Sequence, residues 1–470
     1  MRTSLSFFLI LSFFSSNLSG QNLSQHQIRE DFDYLNNALE EGHPGLYWFS
    51  SKQDLNKTVK NVEASLDGVT NVKELQALLT DINNAISCGH TAILLPEAHY
   101  KKVDSLNLFL PFNIVLVEDK VLVAESFSDN LLRGDQIISI NEEPIDNVIS
   151  QLQKFIPIDK GIETKRARSI EIIFPYYYAV YKGSPAKFEI EIKKQAKGKQ
   201  LKKEVKAVGM QKKMYKSVRG FAPAQFPIEL SIDDSRQTAV LKLATFSRQL
   251  FKAHEINFQD TIKGIFDYLE VNNVENLIID LRWNNGGTMT LAEHLFSFFI
   301  DSTHRYYNDA EIKQPIMEGV SKYGRSRNMK LMMEKQFGVL EPKDDIYYLP
   351  GEKFLVDPTK PQFEGDLYLL TNGFSFSATS AFIALIQENE LGLVVGETPG
   401  GAFDAVNAGP PMFIELPNSK IRLYYRIIGT RYNVGGNKVS TKVDVKIDNT
   451  LESFINGIDV QMEYVLEMIK

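Results

Sequence analysis

Two apolar runs, 276–280 and 367–370, each end in a glycine-containing turn that passes straight into a helical pattern. The same alternation starts earlier, with a strand at 239–243 and a helix near 262–269, and resumes with a helix from Ser377 to about Glu388 and a strand at 393–395. Strands that alternate with helices in this way imply an α/β core. Between the two runs, residues 304–349 are polar, basic and Met-containing, and read as an insertion.

The chain has 470 residues, more than one ordinary domain and enough for two or three, each with its own core. At 43% hydrophobic and 24% charged the composition is that of a folded protein. A net charge of -7 argues against a nucleic-acid partner, because such binding draws on concentrated Lys and Arg. Lys193-Lys194 and Lys202-Lys203 read as solvated faces. Near the start, Arg2 precedes an apolar stretch at 5–14 and small or polar residues up to Gly20, the pattern of a secretory signal. That stretch is too short to cross a bilayer core of roughly 30 Å. The expectation is a mature protein free of the membrane in an exported compartment, bacterial periplasm or extracellular space. Cys88, the single cysteine, excludes an internal disulfide and reads as a small buried apolar residue.

From Ser24 the residues Ile28, Phe32, Leu35 and Leu39 fall at helical spacing, with Ser24 and Gln27 placed as a capping box and Gly42 as a stop. A second helix is predicted from about Asn71 to Cys88, with Leu75, Leu78, Leu79, Ile82 and Ile86 on one face and Gly89 just beyond. His90 is thus expected at a helix exit. The pattern then changes to short β-type runs, followed by Leu131-Leu132-Arg133-Gly134-Asp135-Gln136-Ile137-Ile138-Ser139-Ile140-Asn141. That segment resembles the Gly-Asp-x-Ile-x-x-Ile-Asn signature of PDZ domains, which bind extended carboxyl-terminal peptides at a sheet edge. The expected organisation is a signal peptide (1–20), a helical domain (21–104), a PDZ-like β-rich domain (105–210) and an α/β core (211–470) with its insertion near 304–349.

Nucleotide and zinc chemistry find no support. No Gly-x-Gly-x-x-Gly follows a strand, no phosphate-binding loop is present, and His254-Glu255 lacks a second histidine. Neither cofactor nor metal is expected. The two glycine turns carry the chemistry. The first, Asp280-Leu281-Arg282-Trp283-Asn284-Asn285-Gly286-Gly287, places paired glycines before a helix, where backbone N–H groups can approach an anion. In the second, Asn372-Gly373-Phe374-Ser375-Phe376-Ser377-Ala378-Thr379-Ser380, a serine opens a helix, which in isolation is an ordinary N-cap.

Together the two turns resemble the Asp-Leu-Arg-x-Asn-x-Gly-Gly and Ser-x-Ser-Ala motifs of the carboxyl-terminal processing and tricorn-core serine peptidases. The resemblance implies a ClpP/crotonase-like α/β core and makes Ser377 the nucleophile, with Gly286 or Gly287 and Ala378 supplying the oxyanion hole. Ser375 and Ser380 are then structural. Many relatives place a lysine shortly after Gly-Glu-x-x-x-Gly; here Gly396-Glu397-Thr398-Pro399-Gly400-Gly401 is followed by Ala402. The tricorn-core branch uses an upstream histidine instead, which Cys88-Gly89-His90-Thr91 matches; His43, before Pro44, is the competing turn histidine. Gly89 stands where the tricorn site has a serine, and Asp404, Glu388 and Asp444 are candidate orienters of His90. The expected activity is peptide hydrolysis through an acyl-enzyme, on polypeptides held by their C-terminal tails. The alternative is a relative of the same fold, a family with retinoid-binding members, that holds an apolar ligand or peptide without cutting it.

Overall fold

The first helices form where the sequence supplies both a cap and a one-sided apolar stripe. In the computed structural model, which describes residues 22–196, 198–210, 226–233, 235, 237–319, 322–323, 329–435 and 438–469, α1 spans Gln25–Gly42 behind the expected Ser24/Gln27 capping box. The signal segment lies outside the described residues. α2, Lys52–Ser65, has only Leu55 and Val62 buried, too sparse a stripe for periodicity to reveal it. α3, Val72–Ile86, is capped by Asn71 and ends at Ser87 in the left-handed region (φ 55°), two residues before Gly89. The chain then runs through His90 into an edge strand, Ala92–Leu94.

A five-strand path, Phe112–Val117, Lys120–Ser126, Gln136–Ile140, Lys187–Lys193 and Gln200–Lys206 in that order, curls around α4 (Ile145–Gln153) and α5 (Glu163–Tyr181). It has its own core, in which Phe112, Ile137, Val148, Phe174, Phe188 and Ile190 meet. This architecture is consistent with the PDZ-like expectation.

The α/β pattern yields a six-stranded sheet of β1 (Ile228–Asp233), β2 (Thr238–Leu243), β3 (Asn276–Asp280), β4 (Asp366–Thr371), β5 (Leu393–Gly396) and β6 (Val445–Lys446). The strands lie side by side in chain order, β2 to β6 parallel and β1 antiparallel at the edge. Their apolar runs are continuous because both faces are covered. Leu277, Ile279 and Leu369 pack on one side with α6 (Phe258–Val271), α7 (Met289–Phe296) and α8 (Ala378–Glu388). Ile278, Leu370 and Val395 face Val465 and Ile469, around α9 (Val460–Met468), on the other. Since β3 and β4 are adjacent and in register, Asp280 beside Leu370, the turns that follow them emerge side by side.

A second sheet runs Ala92–Leu94, Arg422–Tyr432, Tyr307–Lys313, Ile346–Tyr348 and Glu341–Lys343, with Ala405–Glu415 also pairing with Arg422–Tyr432. Residues 304–349 therefore supply three strands of this sheet; Tyr307–Lys313 is largely buried, whereas Glu341–Lys343 at the edge is exposed throughout. Ala92 pairs with Tyr424, which carries the segment after His90 onto the same sheet. The hairpin of that sheet is tied to α1 by Asp31, a fully buried carboxylate that accepts the N–H groups of Asn418 (2.9 Å) and Ser419 (2.7 Å). Removing it leaves one buried and one half-buried backbone donor unsatisfied. Asp31→Ala is expected to lower unfolding stability by about 2–3 kcal/mol, measured by urea denaturation; a loss below about 0.5 kcal/mol would show that the tie contributes nothing.

Candidate active site

The turn after β4 is built by short-range hydrogen bonds between small polar groups. Asn372 Oδ1 accepts from Trp283 N (3.1 Å) and Phe374 N (3.0 Å), and Ser375 Oγ donates to Leu281 O (2.8 Å) while accepting from Asn372 N (3.1 Å). Ser380 Oγ closes the turn on Ser375 O at 2.9 Å. Ser375 and Ser380 are thus buried framework. Ser377 differs. Its backbone sits at φ 59°, ψ -123°, a conformation that costs a β-carbon residue about 1–3 kcal/mol. It precedes α8 without making a side-chain cap. Instead its Oγ lies 3.1 Å from His90 Nε2.

The turn after β3 presses against this serine. Buried Asn284 organises it, Oδ1 accepting from Gly286 N (2.9 Å) and Thr379 Oγ1 (2.8 Å) and Nδ2 donating to Leu243 O (2.9 Å). Gly286 has φ +86°, and a β-carbon there would lie 2.5 Å from Phe376 O and 2.9 Å from the Ser377 β-carbon. Only glycine allows the two turns to touch. The Gly286 N–H is spent on Asn284 Oδ1. The N–H groups of Gly287 and Ala378 have no acceptor among the described residues, and they are the pair left to receive an oxyanion.

His90 reaches the serine because its loop is held from behind. Asp159 accepts from Gly89 N (2.5 Å) with one oxygen and from Ala402 N (3.2 Å) with the other, joining the His90 loop to the segment that follows Gly400-Gly401. A β-carbon on Gly89 would meet the Phe376 ring at 2.7 Å, which explains why no serine precedes His90. The imidazole stacks on Phe376, centroids 4.6 Å apart. None of the three candidate orienters reaches it: Asp404 pairs with Lys160 (2.7 Å), Glu388 accepts from Gly435 N (2.7 Å), and Asp444 accepts from Val394 N (2.8 Å). His90 Nδ1 is buried and has no bonding partner among the described residues. His43, the competitor, is buried with Nε2 2.7 Å from Thr91 Oγ1, so it braces the residue next to His90.

His90, Ser377, Gly286 and Gly287 open onto one cavity of about 940 Å³, its walls including Leu250, Met289, Phe337, Phe354 and Ile428. Residues 237–412 match the profile of peptidase family S41. This stretch is similar to the S41 domain. The chain is 25% identical over 208 residues to the tail-specific protease of Haemophilus influenzae, a match covering 44% of the chain but 24% of that relative's length. In structure it is similar to a CPAF point mutant (TM-score 0.67, 14% identity, 95% of this chain and 97% of that one) and to mature CPAF complexed with lactacystin (TM-score 0.64, 14% identity, 95% and 98%). At that identity the likeness establishes the fold, which extends beyond the S41-like stretch to nearly the whole chain.

Three residues of the site were not singled out from the sequence. Asn284 lay inside a recognised motif but its loop-building role did not show. Asp159 and Lys165 come from the middle of the PDZ-like region, and the Lys165 ammonium donates to Asn285 Oδ1 at 2.6 Å, inside the first glycine turn.

Burial pushes the pKa of His90 down to about 3, with the positive charges of Arg426 and Lys165 adding to the effect. The imidazole therefore stays neutral, the form a general base requires, far below the pH 6–7 expected of an unperturbed histidine. In a sample with ¹³C-labelled histidine, the His90 ring resonance, identified by its absence in His90→Gln, should not titrate between pH 8 and 5. A transition near pH 6.5 would contradict this reading of the site.

Proposed function

We propose that this chain is an exported serine endopeptidase that cleaves polypeptides through an acyl-enzyme on Ser377. The observation that carries the reading is the 3.1 Å approach of His90 Nε2 to a serine held at a strained helix entrance beside two unbonded N–H groups. Ser377 Oγ attacks the scissile carbonyl while its proton passes to Nε2 of neutral His90. The oxyanion is received by Gly287 N–H and Ala378 N–H, donors of a kind worth about 3 kcal/mol each in acyl transfer. His90 then returns the proton to the leaving amine, and a water repeats the sequence to release the acid. Among the described residues no carboxylate bonds His90 Nδ1, so the imidazolium's positive charge is borne by the stack on Phe376 and the developing oxyanion. The module at 105–210 holds substrate tails. The apolar segment at 5–14 supports export, to a periplasm or the extracellular space.

One observation favours a second reading. An unpartnered Nδ1 on His90 beside a large, mostly apolar cavity suits a protein that binds an apolar ligand or peptide without cutting it. The two separate on reactivity at Ser377. A fluorophosphonate probe should label that residue, as located by peptide mapping, and Ser377→Ala or His90→Ala should each lower hydrolysis of an unstructured protein by about a hundredfold or more. His43→Ala should remain within a few-fold of the parent if it stays folded. Absence of label with a folded protein would favour the binding reading, and hydrolysis surviving in Ser377→Ala would remove the assigned nucleophile.

A further inference from the structure

Lys165 stands in the first turn of α5, in the sheet-rich module, yet its side chain is 6% exposed and points away from that module. The ammonium donates to Asn285 Oδ1 at 2.6 Å and lies 4.3 Å above the Phe374 ring and 4.0 Å above that of Phe376. Every one of these partners belongs to one of the two glycine turns: Asn285 directly precedes Gly286-Gly287, and Phe376 directly precedes Ser377. Asp159 is the carboxylate whose charge acts on it, and that group spends its two oxygens on Gly89 N and Ala402 N rather than on the ammonium. One amide oxygen and two aromatic faces compensate a buried cation only in part. Such a group is poorly stabilised at rest and better stabilised once negative charge appears nearby, which is the condition for lowering a barrier rather than tightening substrate binding.

We propose that Lys165 is a positioning residue for acyl transfer at Ser377, clamping the Asn285 loop and setting a cation beside the turn whose Gly287 N–H receives the oxyanion. The inference rests on the peptidase reading above. It also makes the module a contributor to the chemistry, since the clamp is delivered by α5. The titratable groups facing Lys165 are Asp159, pushed up to about 6 by burial, and His90, pushed down to about 3; burial brings Lys165 itself down to about 7. Above that pH the ammonium loses its proton and the cation is lost, whereas an arginine in its place stays charged.

The test is steady-state kinetics on an unstructured polypeptide, together with the rate of Ser377 labelling by a fluorophosphonate. Lys165→Met should lower kcat about a hundredfold, the usual scale for weakening an oxyanion site, with KM changed less than about threefold. Asn285→Ala should reproduce most of that loss, and the double variant should add little to it. The parent's kcat should fall as pH rises through about 7, and Lys165→Arg should recover activity and abolish that fall. If the parent itself is not labelled at Ser377, the peptidase reading fails. If it is labelled and Lys165→Met turns over within threefold of it, the clamp is refuted. A loss confined to KM, or an alkaline fall that persists in Lys165→Arg, would likewise overturn it. Should Lys165→Met not fold, the paired pH profiles and Asn285→Ala decide, an unchanged kcat in Asn285→Ala counting against the proposal.

Discussion

The site depends on one close approach, that of the Gly286 backbone to Phe376 and Ser377, where a β-carbon would come within 2.5 Å of a carbonyl oxygen. Adjacent parallel strands in register deliver two turns to the same edge of a sheet, but they do not bring them into contact. Contact requires a position with neither side chain nor ordinary backbone dihedrals, and a buried carboxamide, Asn284, bonded to both turns and to Leu243 O. With that contact made, the serine is confined to a conformation that turns its hydroxyl away from the helix and toward the cavity.

Around this contact the chain recruits distant segments through a short stretch at 159–165. Asp159 binds Gly89 and Ala402, Lys160 pairs with Asp404, Thr164 donates to Thr398 O at 2.9 Å, and Lys165 reaches Asn285. Gly373 could not carry a side chain because Thr164 O lies where its β-carbon would be, at 2.0 Å. Helical region, module and S41-like domain therefore meet at one seam. Exposed ion pairs contribute little to such a seam, whereas buried N–H to carboxylate bonds fix geometry.

What was legible in the sequence was what local chemistry encodes. The capping box of α1, the apolar runs of β3 and β4, and the glycine turns all follow from residues a few positions apart. Ser377 and His90 could be singled out because their neighbours form short recognisable motifs. Asp159 and Lys165 could not, since their partners lie 70, 243 and 120 residues away and the surrounding sequence is unremarkable loop and helix start. The strands within 304–349 were hidden for a different reason: they are short or carry polar residues at buried positions, such as Glu311 in Tyr307–Lys313, so the polar stretch resembled an insertion.

The two halves of the dyad are separated by 287 residues along the chain. His90 reaches its place only when the strand after it pairs with Arg422–Tyr432, near the opposite end of the polypeptide. Contacts of such long sequence separation form late, because loop closure must be accomplished before they are rewarded. The folding chain therefore passes through its partly folded stages with serine and histidine far apart. On the proposed peptidase reading it would be at its most cleavable while still unable to cleave, and its hydrolytic chemistry would switch on only when few flexible segments of its own remained within reach.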